Sequence, residues 1–317
     1  LKPTISVIMS TYNRNDYLPK SIESILSQTY SGFELVLVNN GSTDGSEEIC
    51  KHYAKYDKRI KLVEIQDNNG APAGRNMGLE NAQYEYVTIV DDDDVCEPEM
   101  LEFLWNLTSK YKADISICGS WNKTGDNLEP YFIYDDLLLL NKEEGLEELL
   151  KREKYNVAPP TKLFRKSLFD NIRFKAGVLV DDIHVIYKVF ANANRVVAQG
   201  KPLYYFRKHS NNMTSFIQTN NLTPQLLQEY LNAFTERTMY LSKKVPQVTS
   251  RAKYSEWSYM LSMCKKIKEY KILSCELIYQ EMVKKLLKNY TSFLDNPYIT
   301  NEECKELKRL RTNHEDM

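Results

Sequence analysis

The 317-residue chain has no CxxC pair. Its six cysteines, Cys50, Cys96, Cys118, Cys264, Cys275 and Cys304, stand apart from one another. That spacing excludes the usual zinc-finger and dithiol frameworks and predicts reduced thiols used for packing. No apolar run approaches the roughly 20 residues of a membrane-spanning helix; runs such as Leu137 to Leu140 stop far short. The first residues lead directly into a strand pattern without a signal-peptide layout, so the expected location is the cytoplasm. A basic excess is missing too: 42 Lys and Arg face 43 Asp and Glu for a net charge of -1. With no basic stripe interleaved with aromatics, nucleic acid is excluded as a partner. No GxGxxG follows the first strand pattern, which argues against a dinucleotide oxidoreductase. The loop after it, Ser10 to Tyr17, holds no glycine at all, unlike the Gly-rich triphosphate loop expected of a nucleotidyltransferase.

What is present is an ordinary folded composition, 42% hydrophobic and 27% charged. The first part alternates strand and helix patterns. Ile5 to Met9 reads as a strand, and Leu18, Ile22, Ile25 and Leu26 share one face of a helix that starts near Pro19. Phe33 to Val38 follows as a strand, then a helix capped by Asp44 or Ser46, then a strand over Ile60 to Glu64. Ala73 to Ala82 reads as a helix, Tyr86 to Val90 as a strand, Pro98 to Tyr111 as a helix and Asp114 to Cys118 as a strand. Such alternation predicts an α/β fold with a mainly parallel central sheet flanked by helices. Further on, helices are predicted over Asn141 to Arg152 and Asp182 to Asn192, with short strands at Arg195 to Val197 and Leu203 to Phe206. From Thr223-Pro224 onward the pattern is helical. Residues 223 to 317 carry 16 Lys and Arg against 12 Asp and Glu, a mildly basic tail suited to an anionic membrane surface or to a plain solvated face.

Asp91, Asp92, Asp93 and Asp94 follow the fourth strand. Carboxylates crowded this closely raise one another's pKa unless a cation neutralises them. Oxygen ligands favour Mg2+ or Mn2+, which commonly bridge carboxylates to substrate phosphates. In open α/β sheets ligands bind beyond the carboxyl ends of strands, where Thr11-Tyr12-Asn13, Asn39-Asn40 and the aspartates all fall.

These segments carry a family resemblance. ISVIMSTYNR, SIESILSQTY, VNNGSTD, NNGAPAGRNMGLENA and VDDDDVCEP resemble, in order and spacing, the inverting GT-A-fold family 2 glycosyltransferases of bacterial polysaccharide and lipid-glycan synthesis. TKLFRKSLFDNIRF, VLVDDIHVIYKVFANA and KPLYYFRKHS resemble later blocks more weakly. The resemblance implies a catalytic domain over 1–215, with a nucleotide-sugar-binding half (1–120) and an acceptor-side half (121–215), and a helical region over 216–317. It places Thr11, Tyr12, Arg14, Asn40, Arg75, Asp91, Asp92 and Arg207 at the donor. Asp93, Asp91 and His209 are the implied metal ligands for Mn2+ or Mg2+. Asp181-Asp182 resembles the family's Glu-Asp pair, with Asp182 as general base and Asp181 orienting it; as a rival, these aspartates would simply cap a helix. Trp121 and Asn122 lie in a stretch expected to shape the acceptor pocket.

One departure bears on the donor. Asn39-Asn40 stands where many members have two aspartates, so an amide that can accept or donate replaces a carboxylate opposite the base. The expected donor is a nucleotide sugar, a UDP-sugar first, and the acceptor a glycan or lipid-linked saccharide. The expected enzyme is a hexosyl- or N-acetylhexosaminyltransferase. The alternative is a non-catalytic nucleotide-sugar or glycan-binding protein on the same fold. The helical tail would pair subunits, support the acceptor or rest on the inner face of the membrane.

Overall fold

The computed structural model describes residues 4–209, 212 and 222–315. They group into two compact units, Leu1–His209 and Ser210–Met317. The expected boundary at 215/216 lies outside the described residues.

The first unit is built on one sheet of ten strands. Strands β1 (Ile5–Thr11), β2 (Phe33–Asn40), β3 (Ile60–Ile65) and β4 (Tyr86–Ile89) are parallel, in the order β3-β2-β1-β4. Helices α1 (Leu18–Leu26), α2 (Ser46–Tyr56) and α3 (Ala71–Asn81) make the crossovers. The near-continuous burial of β1 and β2 is what a parallel strand covered on both faces requires. Beyond β4 the sheet is mixed. β5 (Val95–Cys96), helix α4 (Met100–Tyr111), β6 (Ile115–Thr124), β7 (Asn127–Tyr131), β8 (Tyr134–Asn141), helix α5 (Lys142–Lys151), β9 (Lys162–Arg165), helix α6 (Ile186–Asn192) and β10 (Arg195–Arg207) complete the unit. β9 lies antiparallel between β4 and β6, while β6 and β10 run parallel.

Three local expectations are corrected. The two strands expected around Arg195 to Val197 and Leu203 to Phe206 form one strand, because Pro202 is absorbed by register shifts against β6 rather than ending the pairing. Helix α2 is capped by Gly45 at φ 97°, not by a side chain; Asp44 Oδ1 accepts from the Ser46 N–H (3.0 Å). The helix expected from Asp182 is a 3-10 turn, Asp182–His184, followed by α6.

Helix α3 carries Arg75 and lies hard against β1. A Cβ on Gly78 would stand 2.2 Å from Ile8 Cγ2, and one on Gly74 would stand 1.8 Å from Ser10 Oγ. Ile8 is fully buried and β-branched, so it cannot swing aside. Gly78→Ala is therefore expected to lower stability by roughly 1–3 kcal/mol, measured by urea unfolding, and to lower activity by moving Arg75.

The second unit is helical: Pro224–Lys244, Thr249–Glu269, Glu276–Lys288, Tyr290–Leu294 and Asn301–Glu315. Thr223 caps the first of these by accepting from the Leu226 N–H (3.2 Å). Leu227, Trp257, Met260, Leu261, Met282, Leu286 and Phe293 form its core. No helix among the described residues is long and apolar enough to cross a membrane.

Candidate active site

Two loops at the carboxyl ends of β1 and β2 are stitched into one wall. Asn13, held at φ 52°, accepts from the Thr43 N–H (2.8 Å) and donates its own N–H to Ser42 Oγ (3.2 Å). The Arg14 N–H donates to Ser46 Oγ (2.9 Å), and the Asn15 N–H donates to Asp44 Oδ2 (3.1 Å). Thr11 is buried in this wall, whereas the Tyr12 ring is 40% exposed and open to a ligand.

Asn40 is buried and its amide hydrogens go to Asn68 Oδ1 (3.2 Å) and the Gly70 carbonyl (2.9 Å). These acceptors fix its orientation: Oδ1 is the accepting end, in long contact with the Asn69 N–H (3.5 Å). Asn40 thus faces its surroundings as a neutral acceptor.

The acidic turn is clamped from both sides. The Asp91 N–H donates to Tyr204 Oη (3.2 Å), and that hydroxyl donates to Asp94 Oδ2 (2.8 Å). The Arg207 N–H donates to Asp94 Oδ1 (2.7 Å). Ser21 Oγ donates to the Asp92 carbonyl (2.8 Å) and accepts from Arg207 Nη2 (2.8 Å). Arg207 Nε bonds the Asp93 carbonyl, and the guanidinium lies 5.1 Å from the centre of the Tyr17 ring. Arg207 thus holds the acidic turn from the side of β10.

Asp93 Oδ2 lies 3.0 Å from His209 Nε2, whose ring stacks on Tyr17 with centroids 4.3 Å apart. Arg14 Nε stands 3.7 Å from Asp92 Oδ1 and 3.8 Å from Asp93 Oδ2. Asp91 turns the other way: its Oδ1 accepts from Arg75 Nη2 (3.0 Å), while Arg75 Nη1 donates to Asp181 Oδ1 (2.6 Å). One buried guanidinium thus joins the acidic turn to the Asp181-Asp182 pair. Burial opposes its charge, but Asp181, Asp91 and Asp182 outweigh that and push its pKa up.

The raised carboxylates owe their shifts first to burial and only second to one another. Burial, reinforced by Asp93, pushes Asp92 up to about 7 against the pull of Thr11 and Arg14. Burial also raises Asp91, with Arg75 opposing, and raises Asp94. Burial and the neighbouring Asp181 push Asp182 up to about 6. Among the described residues, neither Asp181 nor Asp182 makes a side-chain capping hydrogen bond, and Asp182 Oδ1 is buried without a hydrogen-bond partner. Helix capping therefore does not account for the pair.

Of the three expected metal ligands, the structure brings Asp93 and His209 together and gives Asp91 to Arg75. Among the described residues no three His, Cys, Asp or Glu side chains surround one point. The pair still fits a hard divalent ion, because Mg2+ or Mn2+ keeps waters and takes oxygens from a substrate diphosphate.

Four residues of the site carried no role in the sequence reading. Tyr17, Ser21 and Tyr204 hold the turn, and Lys162 lies buried on β9 with Nζ donating to the Ala158 carbonyl (2.7 Å). Burial lowers Lys162 to about 7, and it feels the charge of Asp182. A polar residue inside a buried stripe was the available signal: Ser21 falls between Leu18 and Ile22, and Lys162 precedes Leu163 and Phe164. Trp121 and Asn122 sit on β6, half-buried.

A mixed sheet whose parallel half ends in a clamped acidic turn, tied through Arg75 to the Asp181-Asp182 carboxylates, has the form of a GT-A glycosyltransferase. The chain belongs to glycosyl transferase family 2, whose model matches residues 6–173, more than half of the 317. It is 33% identical to the glycosyltransferase GlyG of Streptococcus pneumoniae over 214 residues, covering 65% of this chain and 71% of that protein. It is 32% identical to GlyA of the same organism over 249 residues, 75% of this chain and only 34% of that longer protein. Among solved structures, S. aureus TarS 1-349 in complex with UDP-GlcNAc superposes with a TM-score of 0.64 at 19% identity, covering 90% of this chain and 89% of that one. The mannosyltransferase PcManGT from Pyrobaculum calidifontis, in complex with GDP-Man and Mn2+, gives 0.59 at 16% identity, covering 98% and 87%.

Proposed function

We propose that this glycosyltransferase moves a sugar from a UDP-sugar to a hydroxyl of a glycan or lipid-linked saccharide at the cytoplasmic face of the membrane, in one inverting displacement with Asp182 as base. The observation that carries the reading is the unpartnered, buried Asp182 Oδ1, tied through Asp181 and Arg75 to the acidic turn. Arg75 holds Asp181 by one arm, which leaves Asp182 Oδ1 to receive the acceptor's proton. Its raised pKa lets it bind that proton in the transition state near neutral pH. Asp93 and His209 would hold Mn2+ or Mg2+, and the ion would stabilise negative charge on the departing diphosphate. Arg14, beside Asp92 and Asp93, would meet the same phosphates. Arg207 acts on the donor indirectly, by fixing the turn.

Uridine is the favoured base because Asn40, its hydrogens engaged by Asn68 and Gly70, can offer a base only an acceptor. The N–H between the two carbonyls of uracil suits that acceptor. The test is a panel of nucleotide sugars assayed for hydrolysis and transfer with and without Mn2+. Transfer should depend on the ion, and Asp93→Ala should raise the Mn2+ concentration needed at least about tenfold. NMR of the product should give the β anomer from an α-linked donor; retention of configuration would overturn the mechanism.

A further inference from the structure

Among the described residues the most exposed large apolar side chains are Leu273 (82%) and Leu277 (83%), with Tyr270 (50%) beside them in sequence. All three lie where the helix Thr249–Glu269 passes into Glu276–Lys288. The connection is held in place. Lys271 reverses the chain at φ 51°, and Ile267, Cys275 and Tyr279 anchor it in the core of the helical unit. The buried stripe of the second helix runs through Tyr279, Met282, Val283 and Leu286 and leaves Leu277 outside it. The turn thus presents two leucines and a tyrosine to water, an arrangement that is unfavourable without a partner.

The charges around the turn say which partner. Lys265, Lys266, Lys268 and Lys271 flank it against Glu269 and Glu276. Lys268 lies 3.5 Å from Glu276 and Lys265 lies 3.4 Å from Glu302, so those two are partly neutralised. Lys266 and Lys271 make no ion pair among the described residues. Protein interfaces are depleted in lysine. A small apolar tip edged by lysines matches the layered chemistry of an anionic lipid surface, apolar below and phosphate above.

We propose that the turn from Tyr270 to Leu277 docks on an anionic bilayer, Leu273 and Leu277 entering the acyl boundary while Lys266 and Lys271 meet lipid phosphates. The inference extends the membrane part of the proposed function and is independent of the transfer chemistry. The test sediments the full chain with vesicles of phosphatidylcholine alone and of phosphatidylcholine with about one third phosphatidylglycerol. Binding is expected only to the anionic vesicles and should weaken with salt. The Leu273→Glu/Leu277→Glu double variant should bind at least about tenfold more weakly, as should Lys266→Glu/Lys271→Glu. Both should keep the wild-type thermal unfolding curve, since the altered side chains lie outside the core. Absence of binding to anionic vesicles, or binding unchanged by the leucine variant, would overturn the proposal. So would a leucine variant that changes only the oligomeric state by light scattering, which would make the tip an interface between copies. Failure of the donor assay leaves these outcomes unaffected.

Discussion

Asp182→Asn is expected to lower kcat for transfer by about a thousandfold while changing the KM for the nucleotide sugar by no more than about threefold. The amide keeps the shape of the carboxylate but cannot accept the hydroxyl's proton, so the loss falls on the chemical step. In the wild type, kcat/KM should rise as Asp182 ionises around pH 6, the value to which burial and Asp181 push it; the pH profile of the variant should lack that limb. Because the folded pKa is raised, ionising Asp182 works against the fold as pH rises through that range. Asp182→Asn should accordingly unfold at no lower temperature than wild type at neutral pH. A variant that lost donor affinity and stability together would assign Asp182 to structure instead.

Arg75→Met is expected to destabilise the protein by about 3–5 kcal/mol. Removing the guanidinium leaves Asp91 and Asp181 without their shared partner in a buried site. Asp181, 5% exposed, cannot recover by rotating into solvent, whereas the Asp91 side chain, 32% exposed, can, so the cost falls mainly on Asp181. Loss of activity should exceed that of a remote variant of equal stability, because Arg75 also holds Asp181 beside the proposed base Asp182. Lowering the pH should restore part of the stability as Asp91, whose pKa burial already raises, takes up a proton. Arg75→Lys should fall between, keeping the charge but reaching only one carboxylate. Urea unfolding of the three proteins at neutral and acid pH measures the series.

The parallel half was legible in sequence because local rules govern it. Strands β1 to β4 are short apolar runs, their helices show one apolar face, and turn residues separate them, so the periodicity alone places the crevice. The acidic turn was legible because like charges so close demand an explanation, and the Asp181-Asp182 pair because it resembles the family's Glu-Asp pair. What the sequence concealed was partnership across the chain. Arg75 reaches Asp181 over 106 residues, and Tyr204 reaches Asp94 over 110, separations that leave no local signature. The need for a cation at the four aspartates is met in part by Arg14 and Arg75, which charge counting along the chain could not reveal. Strand β10 was read as two because Gly200 and Pro202 ordinarily end pairing, and only the register against β6 shows how they are accommodated. Strands β7 to β9 are short or partly exposed, and their pairing depends on neighbours remote in sequence.

The wall stitched from Asn13, Arg14 and Asn15 to Ser42, Asp44 and Ser46 has a kinetic consequence. Its order is set when the chain folds, so on the proposed reading a nucleotide would meet a finished mould and forfeit little freedom of the protein on entering. On the same reading the donor and the spent carrier share the half that fits this mould, so added nucleoside diphosphate is expected to compete with the nucleotide sugar and to slow turnover as it accumulates.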